Sequence, residues 1–242
     1  MAGHSKWNNI KRKKEKTDSQ RAKIFTKIGR EIAVAVKEGG SDPSMNAKLK
    51  DVISKAKANN VPNDNIERII KKAAGEGSSA SYEEIVYEGY GPSGVAVIVE
   101  TLTDNRNRTA GEMRHYFDKY GGNLGQQGSV SFMFGKQGII AIESEGVSED
   151  ALMEVALEAG ASDLVNEEEI FVVKTEVADF RNVRDALEAA GYSFVSAEIE
   201  YVPSTYTALT DEDDIKNMNK MLEMFEDNDD VQAVWHNWEN EE

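Results

Sequence analysis

The sequence contains no cysteine among its 242 residues. This absence excludes disulfide bonds, thiolate metal ligands and cysteine nucleophiles. Histidine is scarce as well, and the three present lie far apart with no metal-ligand spacing: His4, His115 and His236. The patterns of zinc proteases, nucleotide-binding P-loops and serine hydrolases are also missing. We therefore predict no catalytic residues, no metal site and no cofactor.

Long hydrophobic runs are absent too. The apolar runs extend over only a handful of residues, as in Val95–Val99, which is far shorter than a transmembrane helix requires. The start of the chain is basic and polar and lacks the apolar core of a secretory signal. We expect a soluble, cytoplasmic protein without a membrane partner. The sequence leaves the oligomeric state open, with a monomer favoured.

Charge of both signs is abundant, but the two signs are unevenly distributed. Residues 1–75 hold 18 Lys and Arg against 8 Asp and Glu, a net charge of +10. Residues 76–242 hold 10 against 36, a net charge of -26, so that the whole chain carries -16. Such asymmetry is typical of a polyanion-binding end attached to a body that repels polyanions.

The basic end of the chain has the periodicity of three helices. Asp18 can cap a first helix that ends at the Gly39–Gly40 pair, and two more are predicted from Asp42 to about Asn59 and from Pro62 to Gly75. Apolar residues share one face of the first helix. The opposite face carries four cations that we expect to be available to phosphates: Lys23, Lys27, Arg30 and Lys37.

Strand and helix patterns alternate after the linker Gly75–Ser81. The predicted order from Gly138 to Val202 is βαββαβ, the ferredoxin-like pattern. The strands and helix before this unit are too few to form a complete core, and one helix and one strand remain after it. The simplest arrangement is that these elements together form one domain, into which the ferredoxin-like unit is inserted. The fold class is therefore α+β multidomain, with a three-helix bundle and two α+β domains, one ferredoxin-like and inserted in the other. The predicted boundaries are 1–77 (with a flexible basic tail), 78–136 plus 204–242, and 137–203.

The run GYGPSG from Gly89 to Gly94 matches the spacing of a dinucleotide-binding loop. That loop requires a helix after it, because the helix N-terminus holds the pyrophosphate. Here the residues that follow are strand formers, and Pro92 with three glycines suits a tight turn. We predict a turn between two strands, with a strand also at Ser129–Phe134.

The stretch TDNRNRT precedes a helix predicted to begin at Thr109, with Glu112 completing a capping box. Arg106 and Arg108 would flank this helix N-terminus, where backbone N–H groups favour an anion. One interpretation is a phosphate contact. The other is a local turn in which the arginines form salt bridges, and the sequence does not decide between them.

The segment from His4 to Lys16 is strongly basic and leads directly into the first helix. It is either a solvated tail or a nucleic-acid contact. The indole ring of Trp7 favours a contact, because an aromatic ring can stack on a base. The candidate binding residues here are Lys6, Trp7, Lys11, Arg12, Lys13, Lys14 and Lys16.

Four stretches resemble the YebC-type proteins: GHSKWNNIKRKK, DSQRAKIFTKIGREI, YEGYGPSGVAVIVETLTDNRNRT and GGNLGQQGSVSFMF. Members of that family are usually labelled probable transcriptional regulators and are related to a mitochondrial translational activator. The resemblance implies a helical N-terminal domain with two α+β domains, and control of gene expression without catalysis.

Three functional hypotheses follow. The first is a non-enzymatic, nucleic-acid-binding regulator, with DNA as the target implied by the family label. The second is a ribosome-associated translation factor that binds ribosomal or transfer RNA and assists elongation. A metal-dependent hydrolase that uses clustered carboxylates is a remote third. Because the cations of the first helix point away from its apolar face, we also expect charge reversal of Lys23, Lys27 and Arg30 to leave the fold intact.

Overall fold

The computed structural model describes residues 18–75, 81–167 and 169–239. Its helices are α1 (Asp18–Gly39), α2 (Ala47–Ala58), α3 (Asn63–Ala74), α4 (Arg106–Lys119), α5 (Glu149–Glu158), α6 (Phe180–Ala189) and α7 (Glu212–Asp227). Its strands are β1 (Glu83–Tyr90), β2 (Ala96–Thr103), β3 (Asn123–Leu124), β4 (Phe134–Glu143), β5 (Asp163–Glu167), β6 (Ile170–Thr175), β7 (Ser196–Pro203) and β8 (Val231–His236).

The chain divides into two compact units. The inserted unit contains residues 134–204, and the interrupted unit contains the described residues before and after it, 18–133 and 205–239. The helices α1 to α3 therefore group with the first α+β sheet in the contact pattern. The three predicted domain boundaries stay a prediction.

The helices α1, α2 and α3 pack around one apolar cluster that includes Ile28, Ile32, Leu49 and Ile66. Burying such a stripe is the main source of stability for short helices in water. The start of α2 is fixed by Asn46, whose side chain accepts from the Leu49 N–H and donates to carbonyls at the end of α1. The predicted helix start at Asp42 was wrong, because Asn46 is the capping residue.

The sheet of the interrupted unit has the strand order β3-β1-β2-β8, with every neighbouring pair antiparallel. Helices α4 and α7 contribute to its core, where the rings of Phe117 and Phe225 lie 5.2 Å apart. The residues Pro92–Gly94 form a short 3₁₀ turn between β1 and β2, so the run GYGPSG is a turn between strands, as predicted. β2 and β8 come from opposite sides of the insertion.

The inserted unit has the element order β4-α5-β5-β6-α6-β7 and the strand order β5-β6-β4-β7. All three strand pairs are antiparallel, which is the ferredoxin-like topology. Side chains of α5 and α6 pack against the sheet through Leu152, Val183 and Leu187. The predicted fold class is therefore confirmed.

A loop occupies most of the segment predicted as a strand at Ser129–Phe134, so that prediction was wrong. Residues Ser131–Met133 form a 3₁₀ turn, and β4 begins only at Phe134. The reason is Glu88, a buried residue of β1 whose carboxylate accepts the backbone N–H groups of Val130 and Ser131. Those donors are then not available to a sheet.

None of the helices in the described ranges combines the length and the apolar character that a membrane span requires.

Candidate nucleic-acid interface

The predicted contacts in the basic tail lie outside the described residues. These are Lys6, Trp7, Lys11, Arg12, Lys13, Lys14 and Lys16. Their role stays a prediction from the sequence.

The basic face of α1 lies against the acidic end of α7. The Lys23 ammonium contacts the Asp227 carboxylate at 2.6 Å, and the Lys27 ammonium donates to the Glu226 carbonyl oxygen at 2.8 Å. The last carbonyl groups of a helix carry partial negative charge, so a lysine is favourably placed there. Two of the four predicted cations of this face are therefore engaged within the protein.

Arg30 makes the most buried of these contacts. Its guanidinium donates to the Asp230 carboxylate at 2.6 Å and to the Asp229 carbonyl oxygen at 2.9 Å. A longer bond of 3.3 Å reaches the carbonyl oxygen of Leu102 in β2. The side chains of Arg30 and Asp230 are only 18% and 4% exposed. Arg30 therefore joins α1 to the sheet rather than facing solvent.

Asp230 is the centre of a small polar cluster. Besides Arg30, its carboxylate accepts from the Arg108 guanidinium at 2.7 Å and from the hydroxyl groups of Thr103 and Thr109 at 3.0 and 2.7 Å. Burial alone would raise the pKa of this carboxyl, but the four side chains that donate to it outweigh burial and lower the pKa from 3.8 to about 2. Asp230 is therefore ionised at neutral pH.

Both arginines of TDNRNRT form salt bridges within the protein, as expected from the interpretation of this stretch as a local turn. Arg106 pairs with Glu83 at 3.0 Å, and Arg108 pairs with Asp104 at 2.9 Å and with Asp230. Hydrogen bonds to Asp230 and Asp104 raise the pKa of the Arg108 guanidinium, so it stays charged. Both arginines are exposed, and a phosphate contact by either one stays a prediction.

The predicted start of this helix at Thr109 was wrong. α4 begins at Arg106, and Asn105 is its N-cap, with a side-chain oxygen that accepts from the Arg108 N–H. Thr109 is instead inside the helix and buried, where its hydroxyl serves Asp230. Glu112 accepts a hydrogen bond from the Asn228 side chain. No capping box is therefore formed by this pair.

The fourth predicted cation of α1, Lys37, lies in the last turn of the helix and is exposed. A cation at this place interacts favourably with the negative end of the helix dipole. Lys37 lies about two helical turns beyond Arg30 along α1, toward the end of the helix.

Three cations that the sequence interpretation passed over lie together on α3: Arg68, Lys71 and Lys72. All three side chains are exposed. None of them forms an ion pair with a carboxylate of the described residues. Arg68 donates to the neutral Asn65 side chain at 3.0 Å. The signal that could have found them is the spacing of the apolar positions Ile66, Ile69 and Ile70, which places these cations on the opposite face.

A glycine-rich loop between β3 and β4 is held by Glu88. The Glu88 carboxylate accepts from the backbone N–H groups of Gly128, Val130 and Ser131 at 2.8 to 2.9 Å. Burial would raise the pKa of Glu88, but these bonds outweigh it and lower the pKa. The loop presents Phe132, which is 75% exposed. A buried carboxylate therefore fixes the backbone of an exposed segment.

The described part of the chain contains no group of three or more His, Cys, Asp or Glu side chains that could hold a metal ion. The clustered carboxylates near the end of α7 are occupied by cations of the protein instead, as at Asp227 and Asp230.

Comparison with family models matches the N-terminal domain of TACO1/YebC proteins to residues 5–76 and the second and third domains to residues 82–238. The chain belongs to the TACO1/YebC family. It is 64% identical over 242 residues to a relative from Acetivibrio thermocellus and 57% identical over 241 residues to one from Finegoldia magna, with 100% of each chain covered. Both relatives are named probable transcriptional regulatory protein.

A solved structure has the same fold as this TACO1/YebC chain. The crystal structure of a conserved hypothetical protein from Aquifex aeolicus is 44% identical in sequence and superposes with a TM-score of 0.82. The match covers 93% of this chain and 92% of that one. The arrangement of helices and sheets described above is therefore shared with an experimentally determined relative.

Proposed function

We propose that this TACO1/YebC protein is a non-enzymatic regulator of gene expression that binds nucleic acid through its basic N-terminal region. The regulator role is supported by the names of its relatives in Acetivibrio thermocellus and Finegoldia magna. The proposal is carried by one observation, which is the separation of a net charge of +10 in residues 1–75 from -26 in the rest. Nucleic-acid binding draws mainly on neutralisation of phosphates by Lys and Arg.

The mode of recognition that fits the chain best is contact with the phosphate backbone. The basic side chains of the N-terminal region are lysines and arginines, which bind phosphates without reading sequence. Reading base edges in a major groove requires a helix face that can enter the groove. The basic face of α1 contacts the end of α7 through Lys23 and Lys27 and the following residues through Arg30, and so does not have that freedom.

The second candidate function is a ribosome-associated translation factor that binds structured RNA. The occupied face of α1 favours this version, because a ribosomal site supplies shape and phosphates and requires no recognition helix. The DNA-binding version draws on the names of the relatives, which call them probable transcriptional regulatory proteins. Both versions share the same basic surface and differ in the nucleic acid that it contacts.

The experiment is a salt titration of affinity for duplex DNA and for structured RNA, using the full chain. If about six phosphates are neutralised, log K should fall against log salt with a slope near -5 for duplex DNA, and less steeply for single strands. An affinity that is independent of salt would contradict the proposal for either nucleic acid.

Sedimentation with ribosomes at moderate salt distinguishes the two targets. The translation-factor version expects the protein in the ribosome fraction and no specific footprint on promoter DNA. Protection of a defined promoter with no ribosome association would support the DNA-binding version instead.

A further inference from the structure

We propose that the exposed outer face of α3 is the principal ordered phosphate-binding surface of this protein. This surface, called the α3 surface below, consists of Arg68, Lys71 and Lys72. The inference rests on the proposed function and deepens it by naming the residues that contact the nucleic-acid backbone. It differs from the expectation from sequence, which placed the ordered contacts on α1.

Several competing cations of the N-terminal helices have carboxylate partners inside the protein. Lys23 and Arg30 contact carboxylates of the C-terminal part of the chain. On α2, Lys48 contacts Glu38 and Glu84, and Lys55 contacts Glu31 at 2.9 Å. A phosphate would have to displace these partners before it could bind, and that displacement subtracts from its affinity.

The α3 surface has no carboxylate partner of this kind among the described residues. Arg68, Lys71 and Lys72 form no ion pair with a carboxylate of the described residues. Asp64 and Glu67 lie one helical turn before Arg68 and Lys71, yet neither forms an ion pair with them. Both acids precede the three cations along α3, so that the two signs are segregated along the helix.

The three cations of the α3 surface are close neighbours on the helix. Arg68 precedes Lys71 by three residues and Lys72 by four, and side chains at these separations are neighbours on a helix surface, with Cβ atoms about 5–6 Å apart. Like charges at this distance repel each other. An extended polyanion that contacts all three relieves the repulsion, and the rigid helix has already fixed their relative positions.

The ligand that best fits the α3 surface is a polyanion. The chain carries 44 acidic residues, which makes an uncompensated cluster of three cations unusual in its own context. Lys71 and Lys72 lie in the last turn of α3, where they also complement the helix dipole. The interaction with the helix dipole affects only the stability of α3. Phosphate binding by the same lysines would also affect the affinity for nucleic acid.

The test compares two triple variants of the full chain that remove the same number of positive charges. The α3 variant is Arg68→Gln, Lys71→Gln and Lys72→Gln. The control variant is Arg114→Gln, Lys216→Gln and Lys220→Gln, which removes exposed cations of α4 and α7. A fluorescent duplex DNA and a structured RNA hairpin serve as probes, with affinity measured across a range of salt concentrations.

Loss of three phosphate contacts should weaken duplex binding by about a hundredfold at 0.15 M salt and should make the salt slope shallower by about 2.7. The control variant should change the slope by much less than one. A charge-conserving variant, Arg68→Lys with Lys71→Arg, should keep both affinity and slope. Circular dichroism and denaturation midpoints report whether each variant is folded.

The possible outcomes separate the inference from the proposed function. If the wild-type protein shows no salt-dependent binding of either probe, the proposed function fails and the inference fails with it. If the wild type binds and the α3 variant matches the control variant, the function stands and this surface is wrong. If the α3 variant unfolds, the single variants Lys71→Gln and Lys72→Gln decide, and each should reduce the slope by about 0.9.

Discussion

The substitution Asp230→Asn removes the charge on which Arg30 and Arg108 converge. The Asp230 side chain is 4% exposed and receives bonds from four side chains, so its loss leaves the partly buried Arg30 guanidinium without a counter-charge. Breaking a buried ion pair from one side costs about 3–5 kcal/mol. Since Arg30 retains 18% exposure and two backbone carbonyl acceptors, we expect a loss of about 2–4 kcal/mol in the free energy of unfolding at pH 7.

The pH dependence gives an independent estimate of the ionic part. The folded-state pKa of Asp230 is about 2 against an ordinary value of 3.8, so ionisation stabilises the fold by about 2 kcal/mol above pH 5. Because the folded pKa is the lower one, this stabilisation decreases as the pH falls, with about half of it lost by pH 3. The difference between wild type and Asp230→Asn should shrink over the same range.

The assay is urea denaturation followed by tryptophan fluorescence, in a Trp7→Phe background. The remaining tryptophans, Trp235 and Trp238, both lie in the interrupted unit with Asp230, so the signal reports unfolding of that unit. Asp227→Asn is the matched control, because Asp227 is more than half exposed and its pair with Lys23 should contribute at most about 1 kcal/mol. A loss below 1 kcal/mol for Asp230→Asn, or an unchanged difference from pH 7 to pH 3, would show that the Asp230 charge does not stabilise the fold.

Two further predictions concern the other buried contacts. Glu88→Gln should destabilise the protein by about 1–3 kcal/mol and increase hydrogen exchange at the three loop amides that donate to it. The exposed Glu84→Gln should cost at most about 1 kcal/mol through its pair with Lys48 and should leave that exchange unchanged. Unchanged exchange in Glu88→Gln would show that another contact holds the loop. Arg30→Glu should lower the free energy of unfolding by about 3–5 kcal/mol, whereas Lys23→Glu should lower it by about 1 kcal/mol or less, as measured by denaturation. Equal losses for the two would mean that burial of Arg30 is unimportant.

The structure contradicts the reason for expecting charge reversal at Arg30 to leave the fold intact, because this side chain is largely buried against Asp230. The effect of the charge reversal itself stays a prediction. Helical periodicity correctly separated the apolar face, with Ile28 and Ile32 in the core, from the basic face. Periodicity describes one helix, however, and does not show what packs against its polar side. The partner of Arg30 is Asp230, which lies 200 positions away in the sequence. A tertiary contact of this length leaves no signal in local spacing.

The ferredoxin-like topology could be predicted because its elements follow one another without interruption from β4 to β7. The strand predicted at Ser129–Phe134 failed for a different reason. Its alternating pattern fits a strand, yet the carboxylate of Glu88 takes backbone donors that a strand would need. Local patterns therefore succeed where the backbone bonds stay local, and they fail where a distant side chain competes for them.

The density of charge along the sequence does not single out the exposed cations of α3. The segment before Lys16 and the basic face of α1 contain more cations than α3 does. Density does not indicate which charges are compensated in the fold. That information comes from the positions of Asp227 and Asp230 beside α1, and from the lack of a bonded carboxylate beside Lys71 among the described residues.

The interruption of the first sheet has a consequence for biosynthesis. All four strands of the inserted unit are contiguous in the chain, so this unit can complete its sheet once residue 204 has emerged from the ribosome, before β8 does. The other sheet has to wait for β8, and until then β2 pairs with β1 alone and its other edge has no partner in the nascent chain. Arg30 also lacks its counter-charge until Asp230 has been added. Folding during synthesis therefore ends, rather than begins, with the attachment of the N-terminal helices to their sheet.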